Sequence, residues 1–128
     1  MDFHYSVVTE KTIDAAIRAL EETLKARKFG VLWQMDIPAK LQEKGVDFTM
    51  PFRVLEVCNP HEANRVLTRN PMVGYFLPCK IVVYEMDGQT HIGMPKPSVL
   101  MGIIGDSSLE ELAHNVEVNL QSAIDEAR

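Results

Sequence analysis

The chain has 128 residues, of which 46% are hydrophobic and 24% are charged, a composition typical of a folded globular protein with one core. Its formal net charge of -5 argues against nucleic acid as the main partner, because phosphate binding needs a concentrated basic surface. No apolar run approaches the roughly 18 residues that a membrane-spanning helix needs. We therefore predict one domain over residues 1–128, with neither a nucleic-acid nor a membrane partner.

The first third of the chain predicts a strand, a helix and a second strand. Residues 3–8 alternate between the two faces of a strand and are rich in strand-forming residues. A helix ended by Gly30 follows, because apolar residues recur at helical spacing: Ile13, Ala16, Ile17, Leu20 and Leu24. The second strand alternates again, which predicts a buried face made of Val31, Trp33, Met35 and Ile37.

The middle of the chain combines helix starts with a third strand. Pro38 opens a short helix that Gly45 ends, and a loop then reaches Pro51. In the third strand Leu55 and Val57 share one face, while the other face holds Val54, Glu56 and Cys58.

A second helix start follows Cys58 directly. Asn59 is a good N-cap, Pro60 suits the first helical position, and Glu62 completes a capping box. These signals predict a helix from Pro60 to about Arg69.

The second half predicts a central strand, a hairpin and a long helix. Residues 72–86 read as one strand kinked at Pro78 or as two shorter strands, and residues 81–84 are apolar on both faces, which is typical of a central strand. Asp87-Gly88 predicts a hairpin to a strand over residues 89–94, and residues 98–105 predict a helical turn. The last helix begins with a capping box, Ser107 and Glu110, and has a long apolar face.

This order of elements predicts an α+β two-layer sandwich, in which an antiparallel sheet carries two long helices on one face. Because residues 81–84 are apolar on both faces of their strand, some of their side chains lie on the open face of the sheet, which no helix covers. We expect a second copy of the chain to cover that face, because two-fold homodimers are the commonest closed assembly.

Two segments contain the candidate reactive residues, and they also resemble a known protein family. Cys58-Asn59-Pro60 and Leu77-Pro78-Cys79 contain both cysteines of the chain. On these segments the chain resembles the domain-of-unknown-function family numbered 302. The resemblance implies a TATA-binding-protein-like topology, strand-helix-four strands-helix, and dimers among small bacterial or archaeal proteins. It implies no established activity, and DNA binding does not carry over to an acidic chain.

The cysteines allow three interpretations. Cys58 precedes a helix N-terminus, where the positive end of the dipole is expected to depress the pKa of its thiol. If the two cysteine strands pair, then Glu56, Cys58 and Cys79 converge near His61. The protein would then bind a small ligand or act as an accessory factor through this site, or it would use the site for thiol-redox chemistry. Cys58, His61 and Cys79 also form a candidate zinc-type metal site, with Glu56 as a further ligand.

The third interpretation is structural, because free cysteines are often buried and simply pack. The protein would then be a dimerisation module, and whether it is an enzyme stays open. The first five residues contain no basic region followed by an apolar run, so we expect a cytoplasmic protein in which the cysteines are reduced.

Overall fold

The structure is a computed structural model that describes residues 2–128. Within that range it contains five strands: β1 (His4–Thr9), β2 (Gly30–Asp36), β3 (Phe52–Cys58), β4 (Cys79–Met86) and β5 (Gln89–Pro95). The α-helices are α1 (Ile13–Ala26), α2 (Ile37–Glu43), α3 (Pro60–Arg69), α4 (Pro97–Gly102) and α5 (Glu110–Ala127). Two 3-10 helices cover Pro71–Tyr75 and Ser107–Leu109. No helix among these residues is both long and apolar enough to span a membrane.

All five strands form one antiparallel sheet in the order β1-β5-β4-β3-β2. The strand that is apolar on both faces, β4, is central in the sheet, as the sequence predicts. It pairs with β3 in a register that places Ile81 opposite Leu55, and with β5 in a register that places Val83 opposite Ile92. The predicted α+β class with an antiparallel sheet is therefore confirmed.

The main core lies between one face of the sheet and the helices α1 and α5. The sheet contributes fully buried side chains from its three inner strands, namely Leu55, Val57, Ile81, Val83 and Ile92. The helices contribute their apolar faces, including Ile17, Leu20 and Leu24 from α1 and Val116, Leu120 and Ile124 from α5. The helical spacing of these residues brings them onto one side of each helix.

The predicted buried face of β2 is wrong beyond Val31. A β-bulge between Val31 and Trp33 changes the alternation of side chains, so that Trp33 lies opposite Glu56 on the open face of the sheet. Trp33 is 50% exposed, and Ile37 already begins α2. A bulge depends on pairing with β3, which the sequence of β2 alone does not reveal.

The prediction of a strand before Pro78 is also wrong. Residues Pro71–Tyr75 form a 3-10 helix, because Asn70 Oδ1 accepts a hydrogen bond from the Met72 N–H at 3.0 Å and Pro71 suits the first position. The peptide bond before Pro78 is cis, and β4 begins only at Cys79.

Most predicted turns are confirmed, with two exceptions at helix ends. Asp87 and Gly88 have φ of 55° and 76°, as a tight hairpin between β4 and β5 requires. However, α1 ends before Gly30, and the left-handed residue after it is Lys28, with φ of 65°. The predicted capping box of Ser107 with Glu110 does not form. Instead, Asp106 caps the short 3-10 helix ahead of α5 by accepting a hydrogen bond from the Ser108 N–H.

Candidate functional site

An apolar cavity of about 230 Å³ lies between α3 and the adjoining ends of β3 and β4. Its polar lining residues are Asn59 and Glu62. The remaining lining residues are apolar or weakly polar: Phe29, Val57, Cys58, Ala63, Val66, Leu67, Gly74, Leu77, Pro78, Cys79, Met101 and Val116. A concave apolar surface with few polar groups is the usual form of a small-ligand site.

The cavity lies where two hydrophobic clusters meet. Phe29, Val57 and Val116 belong to the main core, whereas Val66 and Met101 belong to a second cluster beneath α3. The second cluster also contains Val73, Leu109 and Ala113. Because α3 packs on the second cluster rather than on the middle of the sheet, a gap remains between α3 and the strand ends.

The local sequence explains why α3 starts beside this gap. Asn59 Oδ1 accepts hydrogen bonds from the N–H groups of His61 at 3.0 Å and Glu62 at 3.2 Å. With Pro60 at the first helical position, these bonds start the helix immediately after β3 ends. The chain thus turns from strand to helix at Cys58.

Both cysteines line the cavity. The β3–β4 register places Cys79 opposite Val57, the residue before Cys58. Both are free thiols, and each is partly exposed. The structure therefore brings these two predicted site residues into one wall.

The expected depression of the Cys58 pKa is wrong. Burial raises the pKa of the Cys58 thiol, because loss of water destabilises the thiolate. Burial also raises the pKa of Cys79 to about 12, with further contributions from the negative charges of Cys58 and Glu56. Both thiols are consequently protonated near neutral pH, which makes them poor nucleophiles.

Glu56 lies beside a neighbouring cavity instead. That cavity has a volume of about 250 Å³ and shares Leu77, Pro78, Cys79 and Met101 with the first. The Glu56 carboxylate accepts a hydrogen bond from Lys80, which lies opposite it on β4. Its charge is thus already paired within the sheet.

His61 is the predicted site residue that the structure places elsewhere. It is exposed on the first turn of α3 and is not among the residues that line either cavity. Among residues 2–128, no three His, Cys, Asp or Glu side chains are grouped to hold a metal ion. The predicted zinc-type set of Cys58, His61 and Cys79 is therefore not assembled in this structure.

Glu62 is the site residue that the sequence analysis missed. Its Oε1 atom lies 3.4 Å from Arg65 Nη1, one turn along α3. Its Oε2 atom is buried and has no hydrogen-bond partner among the described residues. The predicted capping box is thus only half formed, and one carboxylate oxygen of this lining residue remains unpaired among the described residues.

Sequence comparison places the chain in a family. The sequence model of the family described as "Domain of unknown function DUF302" matches residues 5–127. The chain belongs to the DUF302 family. A crystal structure of an uncharacterized conserved DUF302 protein from Bacillus stearothermophilus is 52% identical and matches with a TM-score of 0.97 over 100% of both chains. Comparison with curated proteins finds no match.

The sequence of the DUF302 chain does contain a pattern that could have identified Glu62 as a lining residue. Glu62, Ala63 and Val66 fall on one face of α3, since residues four apart on a helix are neighbours. The carboxylate at the start of that face is therefore directed toward the same side as the buried Val66. The capping-box interpretation accounted for Glu62 without reference to this face, which is why it was missed.

Proposed function

We propose that this DUF302 chain is a cytoplasmic, homodimeric protein that binds a small, largely apolar ligand in the cavity beside Cys58 and Cys79. The observation that carries the proposal is the cavity itself, with about 230 Å³ of space and a wall that is apolar except at Asn59 and Glu62. A dry apolar cavity of about 150 Å³ is enough to bind benzene, so this volume suits one substituted ring or a short branched chain.

The state of the thiols supports binding over thiol chemistry. A redox or nucleophilic cysteine needs an accessible thiolate, and burial raises the pKa of both Cys58 and Cys79. Protonated thiols are compact, weakly polar groups that contact apolar ligands well. In the proposed site the two cysteines are therefore contact residues. Glu56 shapes the adjoining cavity, and His61 has no direct role.

A cavity-filling variant tests the proposal. Ala63 lines the cavity on α3, so Ala63→Leu is expected to occupy part of the space that the ligand needs. Ala39 is exposed on α2, so Ala39→Leu is a matched control that adds the same atoms elsewhere. Toluene serves as the probe, and chemical-shift perturbation of the backbone amides measures its binding.

We expect saturable shifts at cavity residues in the unmodified chain and in Ala39→Leu, and much weaker binding in Ala63→Leu. If the unmodified chain shows no saturable shift, or if Ala63→Leu binds toluene as well as it does, the proposed function is wrong. Circular dichroism spectra of the three proteins check that each is folded.

The homodimer is proposed from the open face of the sheet. Phe52, Tyr84 and His91 stack across three neighbouring strands, with ring centroids 5.2 and 4.9 Å apart and nearly parallel planes. Trp33 and Met86 share that face and are 50% and 42% exposed. Exposed aromatic and apolar side chains grouped on one sheet face, here beside the Glu56–Lys80 ion pair, are typical of a protein-protein interface, and self-association through a two-fold axis is the simplest way to cover them.

The TATA-binding-protein-like topology stays part of the proposal. The strand order β1-β5-β4-β3-β2 and the packing of α1 and α5 on one sheet face support it. The short helices α2 and α3 are additions to the strand-helix-four strands-helix pattern.

A further inference from the structure

A second cavity adjoins the first and extends the space that a ligand can occupy. The two cavities have volumes of about 230 and 250 Å³, and four residues line both of them: Leu77, Pro78, Cys79 and Met101. Three of these residues are consecutive in the chain, whereas Met101 comes from α4. A methionine side chain is unbranched and adaptable, so Met101 can move aside without a change in the backbone. A ligand that passes Met101 reaches both cavities.

The second cavity differs from the first because it contains a pair of charged groups. The Glu56 carboxylate accepts a hydrogen bond from Lys80, and the two side chains are 15% and 47% exposed. The other residues that line only this cavity are aromatic or apolar: Tyr75, Phe76, Pro95, Pro97 and Leu100. Since both charged side chains keep some exposure, a ligand in this cavity can contact the ion pair.

The balance of charge at this pair favours a neutral polar group in the ligand. A ligand carboxylate would be repelled by Glu56, and a ligand ammonium group would be repelled by Lys80. A hydroxyl or a primary amide can donate to the Glu56 carboxylate and accept from the Lys80 ammonium group. Hydrogen bonds to charged groups are stronger than those between neutral groups, and this arrangement leaves the ion pair intact.

We propose that the two cavities together bind an elongated neutral molecule with an apolar tail and a polar end. The tail occupies the cavity beside Cys58, and a hydroxyl or amide end lies at the Glu56–Lys80 pair. This inference rests on the proposed function, because the tail occupies the same cavity. Medium-chain alcohols and amides belong to this chemical class.

A variant that fills only the second cavity tests the extent of the site. Leu100 lines the second cavity and not the first, so Leu100→Trp is expected to block the polar end alone. Ile103 is 70% exposed and lines neither cavity, so Ile103→Trp is the matched control. Toluene probes the first cavity and 1-octanol probes both, and NMR titration gives the dissociation constant of each.

We expect Leu100→Trp to weaken binding of 1-octanol roughly tenfold, because the hydrogen bonds to the ion pair are lost. Toluene is expected to bind normally, and Ile103→Trp is expected to change neither constant. If Leu100→Trp binds both probes as the unmodified chain does, or if the unmodified chain binds toluene but not 1-octanol, this inference is wrong and the proposed function stands. If the unmodified chain binds neither probe, both are wrong.

A charge variant tests the polar end independently. The unmodified chain is expected to prefer 1-octanol to octanoate, because Glu56 repels the octanoate carboxylate. Glu56→Gln leaves the positive charge of Lys80 unpaired, so the preference is expected to shift toward octanoate roughly tenfold. Glu22→Gln makes the same change at an exposed position of α1 and is expected to keep the preference. An unchanged preference in Glu56→Gln would overturn the placement of the polar end, while toluene binding would still support the proposed function.

Discussion

Cys79 offers a quantitative test of the electrostatics of the cavity. Its pKa of about 12, against an ordinary value of 9.0, means that the folded chain holds roughly one thousandth of the thiolate of an ordinary cysteine at pH 8. Alkylation by iodoacetamide proceeds through the thiolate, so its rate reports this fraction. In Cys58→Ser, Cys79 is the one remaining cysteine of the chain, which makes the measurement unambiguous.

The assay follows the alkylation of Cys58→Ser by mass spectrometry between pH 7 and pH 10, both folded and unfolded in urea. We expect the folded protein to react more slowly than the unfolded one at pH 8, by a factor that approaches roughly a thousand, with a rate that rises about tenfold per pH unit and reaches no plateau. Removal of Cys58 deletes one contribution to the shift, but burial, the largest cause, remains.

Two controls complete the experiment. In Cys79→Ser the remaining thiol is Cys58, whose pKa burial also raises, so its rate is expected to reach a plateau above the ordinary pKa. A Cys79 rate within tenfold of the unfolded rate, or a plateau below about pH 9, would refute the reasoning and favour the thiol-redox function instead.

The same shift predicts how stability depends on pH. Because the folded pKa of Cys79 lies above the unfolded value, the protonated thiol contributes stability below pH 9.0, and this contribution is lost as pH rises toward about 12. Urea denaturation at pH 8 and pH 10.5 measures the loss, which is expected to shrink in Cys79→Ser. An equal loss in both proteins would contradict the assignment.

Three further predictions concern assembly and stability. Light scattering of the unmodified protein is expected to give twice the 14.4 kDa chain mass. Val82→Lys on the open sheet face is expected to give the monomer mass, whereas the control Ile103→Lys, an exposed site off the sheet, is expected to keep the dimer mass. A monomeric unmodified chain contradicts the dimer. Asn59→Ala removes both capping bonds of α3 and is expected to cost about 1 kcal/mol in urea denaturation, and no change would mean that the cap is dispensable. Leu120→Ala in the core is expected to cost about 3 kcal/mol, against little change for the exposed Val118→Ala, and similar values for the two would contradict the described core.

Much of the fold could be predicted because its signals are local. The periodic apolar residues of α1 and α5, the Asn59-Pro60 helix start and the Asp87-Gly88 hairpin each lie within a short segment. The central position of β4 also followed from its own residues, since a strand with apolar side chains on both faces needs cover on both.

The errors arose where one segment depends on another. Trp33 lies on the open face because a bulge forms against β3, and a shift of one residue reverses every later side chain of a strand. The pKa of Cys58 is raised because packing around the strand end removes water from the thiol, and that packing comes from other segments of the chain.

For the candidate site, the sequence by itself determined that a strand reaches Cys58 and that a helix begins at Pro60, capped by Asn59. It also placed Cys79 in a strand region, but where that strand begins and which strand it pairs with came from the structure. Only the tertiary structure decided which side chains share the cavity. It leaves His61 exposed and buries one unpaired oxygen of Glu62, although these residues are adjacent in the chain. The physical reason is that α3 rests on a separate hydrophobic cluster, which sets the rotation of the helix and opens the gap beside the sheet.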